Sequence, residues 1–241
     1  MPTVLGGFVE LLDTFGNDLT VVNAARVSFN KEVDKMSPGD EKLVKYLADH
    51  NHVTPFFHPQ ARFRIKMPIF VAREWYRHQI GFARNEVSRR YVDTEPEMYL
   101  PTCVRERDAK LKQGSKATEV PMNDQAHAII KETNDLTNQA YRKLLLLNVA
   151  PEVARTILPQ GMYTEFIETG SLAAYSRLCA LRLDPSAQWE IRQYAAAVSS
   201  LMEEAFPTSW NALQPEGWKA PLENLPKAPS AEAVHAAVNG C

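Results

Sequence analysis

Apolar and polar positions alternate most regularly at residues 60–67, where Ala61, Phe63, Ile65 and Met67 share one face and Gln60, Arg62, Arg64 and Lys66 the other. Side chains of a strand point alternately to its two faces, so this segment predicts a half-buried β-strand. Residues 3–12 (TVLGGFVELL) predict an opening strand closed by the polar turn at 16–18, and a short strand is expected near 88–92. Elsewhere apolar positions recur at helical spacing: 19–29, 40–50, 69–78 after Pro68, 151–157, 171–182, and 186–206 with Asp184 as cap and Pro185 at its first position. In the longest helix, 123–148, Ala126, Ile129, Ile130, Thr133, Leu136, Ala140, Leu144 and Leu147 hold one stripe for about seven turns. Residues 95–120 read as irregular, and the second half as mostly helical.

Composition narrows the class. Of 241 residues, 45% are apolar and 23% charged, as in ordinary soluble domains, so a disordered or collagen-like chain is excluded. Lys and Arg total 27 against 29 Asp and Glu, leaving a net charge of -2 and no global field for nucleic acid, so any anion site has to be local. The three cysteines, Cys103, Cys179 and Cys241, have no CxxC spacing. Neither a disulfide framework nor a zinc ribbon is indicated, and a reducing compartment is expected. With no basic leader and no run of ~18 apolar residues, the expectation is a cytoplasmic protein without a membrane contact. The chain divides into a single domain, 1–214, and a Pro-rich tail, 215–241.

Candidate chemistry concentrates in three segments. Five arginines, Arg73, Arg77, Arg84, Arg89 and Arg90, fall within eighteen residues, between apolar flanks. On a helix Arg73 and Arg77 share one face and Glu74 and His78 the next, giving a fork of guanidinium donors suited to phosphate oxygens. The run His52-Val53-Thr54-Pro55-Phe56-Phe57-His58, near Asp49, His50 and His78, has no diagnostic metal spacing and reads as a hydrogen-bonded turn. Arg155 and Arg182 each stand in apolar helical stretches and need an anion there; Glu152 or Glu190 as a structural partner is the alternative. The GxxxxGK[ST], GxGxxG and GxSxG motifs are absent.

Together the blocks HVTPFFH (52–58), PIFVAREWYRHQ (68–79), NEVSRRY (85–91), PEVARTILP (151–159) and LRLDPSAQWEIRQYA (181–195) resemble, in order, the motifs of the flavin-dependent thymidylate synthases. The resemblance covers about residues 19–206. It implies an α+β fold, an antiparallel sheet packed with a largely helical second half, and a homotetramer with active sites at subunit interfaces. It further implies FAD, with NADPH and methylenetetrahydrofolate as co-substrates, and reductive methylation of dUMP to dTMP. Carried over by position, Arg182 polarises the pyrimidine. Glu74, Trp75, Tyr76, Arg77, Glu86, Val87, Ser88, Arg89, Arg90 and Arg155 surround the nucleotide. Thr54, Arg77, His78, Gln79, Glu86, Ser171, Ala173 and Arg177 meet the flavin, and no metal is implied. The chain departs from the family pattern at Gln79, the third residue of its Arg-His-Arg motif, at Phe57 and Glu74, at Ser171-Leu172-Ala173 with Arg177, and by one extra residue in 80–87.

A dCMP-directed C5 transferase remains an alternative, because Glu74 could accept a hydrogen bond from a cytosine amino group, and so does a catalytically idle nucleotide- or flavin-binding protein. Cys103, in Leu100-Pro101-Thr102-Cys103, is a superficial match to the cysteine-dependent thymidylate synthases and reads as a loop residue. Ser88 has no adjacent base and reads as a ligand for the nucleotide rather than a nucleophile.

Overall fold

The computed structural model describes residues 1–109 and 114–214; the expected tail at 215–241 lies outside the described residues. Its centre is an antiparallel sheet in the order β1-β2-β3-β7-β4, comprising β1 (Thr3–Val4), β2 (Gly7–Phe15), β3 (Gln60–Pro68), β7 (Tyr163–Ser171) and β4 (Phe82–Glu86). β3 alternates as the sequence predicts: Ala61, Phe63, Ile65 and Met67 are buried, while Gln60, Arg62 and Arg64 face out. β7 pairs with all of β3, from Gln60 opposite Ser171 to Pro68 opposite Tyr163.

Helices cover the apolar face. α1 (Asp18–Arg26) and α2 (Pro38–Asp49) bring Val21, Val22, Val44 and Leu47 to the core. α6 (Leu172–Arg182), α7 (Trp189–Ala205) and α8 (Pro207–Leu213) add Leu172, Tyr175, Leu178, Tyr194, Val198, Met202 and Trp210. Each large side chain withdrawn from water in this way contributes about 1.5–3 kcal/mol. The buried Asp18 carboxylate accepts from the backbone N–H groups of Thr208 and Ser209, capping α8 from the far end of the chain. α3 (Ile69–Trp75) follows β3 directly, and α4 (Asn123–Leu146) buries only Tyr141 completely. Among the described residues no helix is long and apolar enough to cross a membrane.

Several expectations need correction. The opening strand is broken by Leu5 and Gly6, both at positive φ, into the β1–β2 hairpin. The strand expected near 88–92 is instead β4 at Phe82–Glu86, and 88–92 forms a turn. The irregular stretch at 95–120 contains a ribbon of β5 (Arg105–Arg107) and β6 (Ser115–Glu119). α3 stops at Trp75 rather than 78, α7 begins at Trp189 rather than 186, and α8 is a separate helix started by Pro207. Asp184 accepts from Ser186 in the turn before α7 instead of capping it. The sequence pattern does not reveal β7. Its inward positions are Thr164, Phe166, Glu168 and Gly170, so the burial alternates while the hydrophobicity does not.

Candidate active site

A helix places residues i, i+3, i+4 and i+7 on one face, and in α3 and the turn after it these are Ile69, Ala72, Arg73 and Tyr76. All four line a cavity of about 930 Å³. The facing wall comes from the end of β4 and the turn beyond it. The backbone N–H of Val87 donates to the Glu165 carbonyl at 2.9 Å, which fixes the start of this turn, and Tyr91 N–H closes it on the Ser88 carbonyl at 3.0 Å. Glu86, Val87, Ser88, Arg89 and Arg90 thereby line the same space, joined by Glu152 and Arg155 from the region of α5 (Pro151–Ala154). Arg90 is held by the Ser88 hydroxyl, which lies 3.3 Å from its backbone and side-chain nitrogens. Glu86 accepts from the Thr164 hydroxyl at 2.6 Å, and the buried Tyr76 hydroxyl has no hydrogen-bond partner among the described residues. Burial, reinforced by the Glu86 carboxylate, raises the Tyr76 phenol well above its ordinary range, so it is a proton donor here.

A second cluster gathers where α3 ends. His78 N–H bonds back to the Trp75 carbonyl, and Arg182, the last residue of α6, reaches across to it. The Arg182 Nε–H donates to His78 Nε2 at 2.9 Å, and its Nη1 donates to the Glu74 carboxylate. His78 must therefore be neutral with its proton on Nδ1. Burial, then Arg182 and the more distant Arg84, Arg177 and Arg77, push its pKa down to about 4. Arg177 donates to the Ile80 carbonyl at 2.8 Å and lies over the Phe57 ring. Thr54 opens the turn that carries Phe57, and the Ser171 hydroxyl caps α6 by accepting from Ala174 N–H at 3.2 Å. Gly81 closes the 78–81 turn at φ +83°, and a Cβ there would lie 2.9 Å from the Ala174 Cβ. Only glycine fits both the left-handed backbone and this approach.

The state of His78 predicts a pH dependence. Its ordinary pKa is 6.5, so as pH falls the unfolded chain takes up a proton before the folded one does. Stability should decline as pH drops from about 6.5 towards 4. His78→Gln keeps an acceptor for Arg182 without a titrating ring, and should flatten that part of the profile. Melting temperatures of both proteins between pH 7.5 and 5 check this, and a difference independent of pH would exclude a buried neutral His78.

The sequence-derived residues thus fall into two groups. Tyr76, Glu86, Val87, Ser88, Arg89, Arg90 and Arg155 share the cavity. Glu74, His78 and Arg182 form the second cluster, with Arg177, Ser171 and Thr54 around its turn and the exposed Arg77 and Gln79 at its edge. Ala173 is buried. Trp75, expected at the nucleotide, is in the core with its indole N–H 3.2 Å from Glu168 Oε1, so its side chain does not reach the cavity. Because α3 ends early, Arg73 and Arg77 do not continue one helical face, and only Arg73 lines the cavity. Glu190 is not the partner of Arg182; it accepts from Arg105 at 2.7 Å, and Glu74 takes that place. Cys103 lines no part of the cavity, and burial with a hydrogen bond to Glu119 raises its thiol pKa. His50 stacks on Tyr46, and the described residues contain no group of three metal-ligating side chains.

Residues 10–208 match the family model described as Thymidylate synthase complementing protein. The chain is 40% identical over 207 residues to the flavin-dependent thymidylate synthase of Thermosipho melanesiensis, covering 86% of this chain and 90% of the relative. It is 39% identical over 214 residues to the enzyme of that name from Thermus thermophilus, covering 89% and 78%. Among solved structures it resembles the UMP/dUMP methylase PolB from Streptomyces cacaoi bound with 5-Br dUMP, with TM-score 0.75 and 27% identity over 86% of this chain and 93% of that one.

Proposed function

Because this chain belongs to the flavin-dependent thymidylate synthase family, we propose that it methylates dUMP at C5 to give dTMP, using FAD, methylenetetrahydrofolate as carbon donor and NADPH as reductant. The observation that carries the reading is the pairing of a guanidinium-lined cavity with a second guanidinium, Arg182, fixed at a helix end by Glu74 and His78. In this reading Ser88, Arg90 and Arg155 bind the nucleotide, the arginines supplying planar donors for its phosphate.

C5 of uracil becomes nucleophilic only when electron density is pushed into the ring. A preorganised guanidinium near O2 and N3 stabilises the negative charge that develops there. Arg182 suits this role: Nε and Nη1 are occupied, while Nη2 makes no hydrogen bond to a described residue and remains available to a ligand. Glu74 already accepts from Arg182, which supports dUMP over dCMP, since a cytosine amino group would have to share that carboxylate.

The side chains around the 78–81 turn fit a flavin. Thr54 offers a hydroxyl, His78 a free Nδ1–H, Gln79 a neutral amide, and Arg77 and Arg177 positive charge for a diphosphate. Bound there, FAD would supply the redox chemistry, while the protein orients the reactants and provides charge. A homotetramer with shared sites is supported by the position of the Arg182 cluster outside the cavity and by the apolar Ile80 and Leu181 beside it, 74% and 60% exposed. The test is a visible spectrum of the purified protein with added FAD. Bound flavin should be bleached by NADPH, faster with dUMP present; absence of flavin binding at micromolar FAD with and without dUMP would overturn the reading.

A further inference from the structure

The cavity holds more positive charge than its own carboxylates neutralise. Lys66 is paired with Glu97 at 2.6 Å and Glu165 with Arg64, which leaves Glu86 and Glu152 as the remaining carboxylates of the lining against its four arginines. Arg89 donates to the Thr94 carbonyl and Arg90 to the Ser88 hydroxyl, both neutral acceptors. The side chains of Arg73 and Arg155 make no hydrogen bond or ion pair with another described residue, so Arg73, Arg89, Arg90 and Arg155 line one cavity without a carboxylate partner among the described residues. Guanidinium groups gathered in a concave site repel one another unless an anion enters, and the polar groups available to them are suited to phosphate oxygens.

Arg90 and Arg155 already have a place in the nucleotide reading, and Arg73 does not. Its position is fixed by the fold. Pro68 begins α3 at the end of the central strand, and the helical period then turns Arg73 to the same wall as Ile69, Ala72 and Tyr76. We propose that Arg73 is a further phosphate-binding residue of the nucleotide site, contributing a guanidinium to the 5′-phosphate dianion of dUMP; this rests on the functional reading above. An exposed arginine on a convex surface would contribute little. Arg73 differs because it faces a cavity shared with three other guanidiniums that have no carboxylate partner among the described residues.

The test compares wild type, Arg73→Gln and Arg73→Lys by titration with dUMP and with 2′-deoxyuridine, alongside melting temperature and steady-state kinetics. Loss of one charge-assisted contact should weaken dUMP binding about tenfold. Deoxyuridine, which has no phosphate, should bind both proteins alike. KM for dUMP should rise more than kcat falls, added salt should narrow the difference, and Arg73→Lys should recover part of the affinity. Unchanged dUMP affinity in Arg73→Gln, equal losses for dUMP and deoxyuridine, or a change confined to KM for methylenetetrahydrofolate, whose carboxylates are the other source of anionic oxygens, would overturn the assignment. If wild type itself does not bind dUMP, the functional reading falls and this assignment falls with it; wild-type binding with an indifferent Arg73→Gln removes the Arg73 assignment alone.

Discussion

Arg182→Lys is expected to fold normally and to lose two to three orders of magnitude in turnover per folded molecule. Removing a preorganised donor to a developing anion costs about 3–4 kcal/mol. Arginine can meet Glu74 and His78 through two nitrogens and still present a third to a ligand. Lysine ends in one ammonium on a flexible stem and cannot hold that geometry. The positive charge survives, so dUMP affinity should fall much less than kcat. A purely structural Arg182 gives the opposite pattern, a lowered melting temperature with an unchanged rate per folded molecule. Melting temperature, dUMP affinity and turnover measured on one preparation separate these outcomes.

The largest effect on stability is expected at Arg84. Its side chain is 14% exposed, its Nε donates to the Glu168 carboxylate, and Glu168 is 0% exposed. The Trp75 indole also donates to that carboxylate, at 3.2 and 3.3 Å from its two oxygens, and the buried Tyr175 hydroxyl lies beside it, but neither carries a charge. Burial raises the Glu168 pKa and Arg84 opposes that rise. Arg84→Met would leave the carboxylate without its counter-charge, at a cost of about 3 kcal/mol. Because the carboxyl can relieve this by taking a proton, the variant should regain stability as pH falls. Arg84→Met/Glu168→Gln, which removes both charges, should recover much of the loss. Urea denaturation of wild type, both single variants and the double variant measures the coupling; additive losses would show that the pair is not coupled.

The same buried pair marks the limit of what the sequence reveals. β3 is readable because its inward positions are Ala61, Phe63, Ile65 and Met67. β7, its full-length partner, places Glu168 and Gly170 where a pattern-based reading looks for apolar side chains. Glu168 is tolerated there because Trp75 donates to it from α3 and Arg84 meets it from β4, the latter a contact across 84 positions that local periodicity cannot encode. The strand misplaced at 88–92 has the same origin, since β4 is mostly exposed and pairs with β7 alone. For the site, residue type and order identify the arginine-rich blocks, but not their division between a cavity and a separate cluster. That division depends on α3 ending at Trp75, which separates Arg73 from Arg77. Arg73 shows no signal of its own in the sequence beyond membership of the arginine-rich run; its unpaired state emerges from the fold.

The central claim is that this chain moves a carbon unit onto C5 of dUMP, and the exchange of that carbon's hydrogen tests it most directly. With [5-³H]dUMP, FAD, NADPH and methylenetetrahydrofolate, the protein should release tritium to water and form dTMP in equal amounts. Both should disappear when either FAD or the folate is left out, and Cys103→Ser should behave as wild type. Tritium release with no dTMP, release that persists without flavin, or dTMP formation abolished by Cys103→Ser would contradict the account.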